Sequence, residues 1–236
     1  MQAASARIVT FSGIDGAGKS TQINELLRSL QNAGYKPELY TFWDDVVALS
    51  RLRESLSLRF FRGDSGVGSP DRPIARRDKN VASWPMTCVR LLFYFLDACS
   101  IRLLLWKRTP RASHLTVFDR YIYDELANLP LHNRFIRLYV RALLLLVPKP
   151  KCAFVLDAEP ETATQRKPEY PLEFVRRNRD TYLQLGRMAG LKIVAPGSVE
   201  RTAEAIRDDV FANCLGWHLN STTSFPDFLG ISETRC

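Results

Sequence analysis

Apolar positions along the chain fall into two alternating rhythms. Short runs rich in apolar and β-branched residues recur at 7–12, 37–42, 114–118, 151–156 and 191–195, and runs of this length read as strands covered on both faces. Between them the apolar period changes. Ile23, Leu26, Leu27 and Leu30 stand at i, i+3, i+4 and i+7, the spacing of one helix face. Helices are expected near 19–33, 45–60, 86–108, 133–147, 171–189 and 199–213. Strands that alternate with helices predict an α/β fold, a five-stranded parallel sheet with helices on both faces. Ligands of such sheets bind beyond the carboxyl ends of the strands.

Two segments break the rhythm. Residues 62–85 are polar and basic, punctuated by Gly63, Gly66, Gly68, Pro70 and Pro73, and a loop this long is either functional or mobile. Residues 214–236 carry Pro226 and Gly230 with little periodicity, so a poorly ordered tail is expected there. That leaves a single domain over residues 7–213, with no internal repeat.

Composition narrows the class. No apolar run approaches the roughly 20 residues that span a bilayer, and the first residues show no basic start followed by an apolar stretch, so no membrane segment and no signal peptide are expected. Five cysteines stand at wide spacings with no CxxC pair, which suits reduced thiols in a cytoplasm. The three histidines are scattered, and no zinc site is visible. The formal net charge is +8, and basic clusters lie at Arg72/Arg76/Arg77/Lys79, Lys107/Arg108/Arg111 and Arg176/Arg177/Arg179. Positive charge serves nucleic acid or small phosphate-bearing molecules alike. No helix-turn-helix, zinc-finger or RNA-recognition signature accompanies it, so a nucleic-acid partner is not expected.

The chemistry concentrates at Gly13-Ile14-Asp15-Gly16-Ala17-Gly18-Lys19-Ser20-Thr21. This run fits G-x-x-x-x-G-K-[ST], and it lies between a predicted strand and a predicted helix, the context the motif needs. Successive backbone N–H groups and a helix N-terminus meet clustered phosphate charge. Gly13, Gly16 and Gly18 permit the sharp turn, and Ala17 and Thr21 complete the cradle. Lys19 is positioned to reach the β- and γ-phosphates of ATP, and the Ser20 hydroxyl to ligate Mg²⁺. A second element follows the strand at 114–118. Asp119 at its tip is placed as a Walker-B-type Mg²⁺ contact. Where hydrolytic motors carry a water-activating glutamate, Arg120 follows. That favours transfer to a bound acceptor, whose phosphate an arginine can hold bidentately.

Taken together these motifs resemble the thymidylate kinase family of nucleoside monophosphate kinases. Phe11 to Gln22 is similar to that family's P-loop, with an acidic residue at Asp15. Leu91-Leu92-Phe93-Tyr94 resembles the start of the helix before its third strand. Asp119-Arg120-Tyr121 with Ala127 resembles its DRY-x-x-S-x-x-A motif, and Leu156-Asp157-Ala158-Glu159-Pro160-Glu161 its L-D-x-x-P-E turn. The resemblance spans residues 7–213 and implies a P-loop NTPase fold, ATP and Mg²⁺ as cofactors, a nucleotide or other small-molecule acceptor, and a lid over about 160–172. It leaves room for a homodimer. It also implies roles: Asp15 orients the acceptor or a metal-bound water. Because Gly16 stands where some members carry a P-loop arginine, a lid residue supplies that charge, Arg166 being the candidate with Arg177 and Arg179 behind it.

The acceptor half departs from the pattern. Trp43-Asp44-Asp45 replaces an Arg-Glu-Pro segment, Asp97 stands at a substrate arginine, and Asp124 replaces the serine of the DRY motif. Phe42, Trp43 and Tyr121 are candidates to stack a planar acceptor, or else core residues. The four aspartates suit hydroxyls or amines better than a phosphate.

Overall fold

The computed structural model describes residues 7–46, 84–107 and 114–216. Strand β1, Ile8–Ser12, is buried at every position, Thr10 and Ser12 included, as a strand in the middle of a parallel sheet covered on both faces is expected to be. It runs through the glycine loop into helix α1, Lys19–Asn32, which seats Ile23, Leu26 and Leu30 inward. Strand β2, Lys36–Thr41, ends in a π-helical turn, Phe42–Val46. The helix expected over 45–60 and the loop expected over 62–85 lie almost wholly outside the described residues. Helix α2, Trp84–Trp106, leads to strand β3, His114–Asp119. A five-residue helix α3, Ile122–Leu126, and helix α4, Arg134–Leu146, follow, and Asn133 caps α4 by accepting from the Phe135 and Ile136 amides. Strand β4, Cys152–Leu156, helix α5, Pro160–Arg166, helix α6, Leu172–Ala189, strand β5, Lys192–Val194, and helix α7, Val199–Leu215, complete the described chain. Helix α7 therefore takes in Cys214 and Leu215, two residues expected to belong to the tail; residues 217–236 lie outside the description.

All five strands pair in parallel, in the order β2-β3-β1-β4-β5. The predicted sheet, with helices on both faces, is therefore present. One face is closed by α1 and α7 over Val9, Phe11, Leu115, Val117 and Phe154. The other is closed by α2, α3 and α4 over Ile8, Phe118, Tyr121 and Leu126. Because β1 sits between β3 and β4, the chain segments that leave these three strands emerge side by side at one edge of the molecule. That edge holds the glycine loop, the Asp119-Arg120 tip and the turn into α5. No helix of the described residues is long and apolar enough to cross a membrane.

Candidate functional site

The glycine loop takes a shape that two of its glycines make possible. Gly13 has φ 137° and Gly16 has φ 86°, conformations that side chains disfavour. A Cβ on Gly13 would lie 2.5 Å from the Leu156 carbonyl oxygen, and one on Gly16 would collide with the carbonyl oxygen of Ala163 in α5. The loop is thus pressed against the end of β4 and against the helix beyond it. Lys19, buried at the first turn of α1, donates to the Gly13 and Ile14 carbonyls at 2.8 and 2.9 Å. Its Nζ lies 4.0 Å from Asp15. Burial, helped by the Arg120 charge, pulls its pKa down from 10.5 to about 8, while Asp15 and other carboxylates pull the other way. A polyphosphate placed against it would raise that pKa again.

Arg120 is the centre of charge. It is the only non-glycine at positive φ among the described residues (71°), and its amide donates to the Phe11 carbonyl at 2.9 Å. Nη2 binds Asp15 and Nη1 approaches Asp124 at 3.4 Å. Burial works against the guanidinium charge, but Asp15 and Asp124 outweigh it and hold the pKa above the ordinary value. Asp119 has its pKa raised, first by burial, against the pull of Arg120 and Lys19. Beyond β4, Arg179 on α6 clamps Asp157 at 2.6 and 2.8 Å, and Arg176 binds Glu161 of α5 at 2.6 Å. The first pair fastens the turn after β4 to α6, and the second fastens α5 to it. Arg166, at the end of α5, reaches the Gly16 carbonyl at 3.4 Å.

Asp15, Gly16, Ala17, Gly18, Lys19, Ser20, Thr21, Asp119, Arg120 and Arg166 line one cleft of about 750 Å³. Gly13 sits behind it, lining a recess of only about 20 Å³ that Asp15 and Arg120 share with Asn128, Lys167, Tyr170, Phe174 and Tyr182. A hydroxyl at Ser20 and a single carboxylate at Asp119 fit Mg²⁺, which takes one or two protein ligands and completes its octahedron with phosphate and water.

Several expectations need correction. Phe42 and Tyr121 are core residues, both fully buried, and the Tyr121 hydroxyl donates to the Pro148 carbonyl at 2.7 Å. Neither offers a face to a ligand. Asp124 is also buried, with its carboxylate turned inward, and Asp97 is fully buried. Neither lines the cleft. Asp45 accepts from the Thr41 amide at 2.7 Å and closes the end of β2. Arg179 is committed to Asp157 and Arg177 points to a separate surface hollow, so Arg166 alone of the three faces the glycine loop.

The sequence reading missed the far wall of the cleft. Val194, Ala195, Pro196, Gly197, Val199 and Thr202 form it, and Gln22 of α1 donates to the Val199 carbonyl at 3.1 Å. The available signal was topological: these residues follow the carboxyl end of a strand, where ligands of parallel sheets bind.

No protein-family model matches the chain. Among curated proteins it is similar to a probable thymidylate kinase of Pyrobaculum calidifontis, 24% identical over 221 residues that cover 86% of this chain and 93% of that one. Among solved structures it is similar to thymidylate kinase from Candida albicans, with a TM-score of 0.58, 16% identity, and coverage of 89% of this chain and 92% of that chain. Thymidylate kinase from Ehrlichia chaffeensis is also similar, with a TM-score of 0.55, 16% identity, and coverage of 86% and 97%. The P-loop, the Asp119-Arg120-Tyr121 strand tip and these similarities over most of the chain make it similar to thymidylate kinases and give it the P-loop NTPase fold.

Proposed function

We propose that this protein is an ATP-dependent phosphotransferase of the nucleoside monophosphate kinase kind. One observation carries the reading: Lys19, Ser20, Asp119 and Arg166 face a single cleft, and Arg120 joins that cleft to a recess of its own. Phosphoryl transfer needs little covalent help from a protein; it needs positioning and neutralised charge. Lys19 and the loop amides hold the triphosphate. Ser20 and Asp119 hold Mg²⁺, which when bound neutralises phosphate charge. Asp15 and Arg120 line the same cleft and orient the acceptor. Arg166 closes from the lid, residues 160–172, and the kinase domain runs over 7–213.

The acceptor is the open variable. A second reading, transfer to a hydroxyl-bearing acceptor other than thymidylate, is favoured by Asp97, a buried acid where the resemblance calls for an arginine. A nucleic-acid-binding role is disfavoured, because Arg176 and Arg179 are occupied by Glu161 and Asp157. We propose a cytoplasmic protein able to form a homodimer.

The test is ADP release from Mg·ATP across nucleoside monophosphates, nucleosides and sugars, with Lys19→Ala as control. Loss of a group that stabilises transition-state charge costs about 3 kcal/mol or more, so the folded variant should lose at least about a hundredfold in rate. Equal turnover by wild type and variant overturns the reading.

A further inference from the structure

Two thiols meet in the core, away from the cleft. Cys152 opens β4, and Cys214 stands in the last turn of α7. Both are buried, and both are free. Their sulfurs lie 3.2 Å apart although the residues are 62 positions apart in the chain. Val210 and Cys214, one turn apart, share the inward face of α7, and the Asp209 carbonyl lies 3.9 Å from the Cys152 sulfur. Cys152 is thus seated against the last two turns of the helix. The pair belongs to the apolar cluster of Val9, Ile206, Val210 and Phe211.

Sulfurs this close are set up for one reaction. Closing the contact from 3.2 Å to the about 2.05 Å of a disulfide asks for about 1 Å of movement. The last turn of a helix can supply it, because helix ends fray. Cys214 is 7% exposed and Cys152 1%, so a reagent reaches Cys214 first. The hydrogen bond between them sets the same order: it holds the Cys214 thiol below the ordinary range and, with burial, the Cys152 thiol well above it. As a thiolate, Cys214 attacks one sulfur of a small-molecule disulfide, and the other sulfur leaves as a thiolate that takes up a proton. Cys152 then gives its proton to water and attacks the Cys214 sulfur, and the second small thiolate leaves and is protonated. Two protein thiols are oxidised, and one external disulfide is reduced to two thiols.

We infer that Cys152 and Cys214 form a redox modification site, which a small-molecule disulfide closes into a cross-link tying α7 to β4. A reducing thiol pool keeps it open. The cross-link encloses the segment that carries Asp157, Arg166 and the cleft wall at 194–202, and it acts by restricting the unfolded chain. The inference does not depend on the phosphotransferase reading, and its test needs no turnover.

In the experiment the folded full chain is incubated with glutathione disulfide, its remaining thiols are blocked with iodoacetamide, and it is digested without reduction. The expected product is a pair of peptides linked through Cys152 and Cys214 and released by dithiothreitol. The oxidised protein should melt about 5–10 °C above the reduced one, the scale for a loop of this length in a chain of this size. Cys152→Ala should stop at a glutathione adduct on Cys214, and Cys214→Ala should leave Cys152 unreacted. Neither variant should gain melting temperature on oxidation. Linkage of either cysteine to Cys88, Cys99 or Cys236 overturns the inference. So does a cross-link that forms only in denaturant, or a wild-type melting temperature that oxidation leaves unmoved or lowers. If a variant does not fold, the linked peptides and the melting shift of the wild type decide.

Discussion

Lys19 shows how one side chain links burial to ligand chemistry. Its pKa of about 8 in the nucleotide-free protein lies below the ordinary 10.5 because burial disfavours the ammonium. Below about pH 8 the lysine already carries its proton, and triphosphate binding needs none. Above that value the nucleotide must recruit one, so affinity falls as pH rises, by up to about tenfold per unit. Calorimetry at pH 9 in buffers of different ionisation enthalpy should show proton uptake with Mg·ATP, and little at pH 7. Pairing of uptake at both pH values would mean another group responds. Asp119 is the complementary case. Burial raises its pKa, and Mg²⁺ needs the ionised form. Asp119→Asn should weaken Mg²⁺-dependent turnover at least tenfold and barely alter metal-free nucleotide binding. A variant with an unchanged Mg²⁺ requirement would show that Asp119 serves only the strand end.

At the scale of elements, the contact between the glycine loop and α5 is the most constrained feature. Gly16→Ala places a methyl against backbone, at Ala163, in a conformation alanine disfavours. Backbone strain of this kind costs about 1–3 kcal/mol, and the displaced α5 carries Arg166. We expect a melting temperature a few degrees lower and a larger loss in turnover; full activity would mean that α5 yields freely. Elements also separate what the sequence could tell from what it could not. The P-loop was legible because glycine positions, a lysine and flanking periodicity act over nine adjacent residues. Helix α3 was not, since five residues hold too little period to detect. Helix α5, Pro-Glu-Thr-Ala-Thr-Gln-Arg, turns only Pro160 and Ala163 inward, so no stripe announces it. Strand 37–42 was read one residue late, because Phe42 continues the apolar run yet already belongs to the π-helical turn.

Across the whole molecule, the order β2-β3-β1-β4-β5 decides what meets what. Arg120 and Asp15 are 105 positions apart, and no local pattern joins them; pairing of β1 with β3 does. The same holds for Asp124 and Ser12. The sequence marked Asp124 as a departure but assigned it to the acceptor, because the inward turn of its carboxylate is a tertiary fact. Surface is equally telling. Leu92, Phe95, Leu103 and Trp106 are exposed on α2 and, at spacings of three, eight and three, share one stripe of the helix. Such a stripe is the surface by which the homodimer we propose would form. Leu92→Glu with Phe95→Glu should convert it to a monomer in light scattering while leaving the circular dichroism unchanged. A wild-type chain that is monomeric at every concentration removes the dimer from the account.

The collision awaiting any side chain at Gly16 bears on how such a protein can change over time. An arginine installed there needs α5 to retreat first. Retreat of α5 would carry away Arg166, which we propose supplies that charge. The two ways of supplying the charge cannot be exchanged one substitution at a time, and a lineage that adopts the close contact between loop and lid is committed to it.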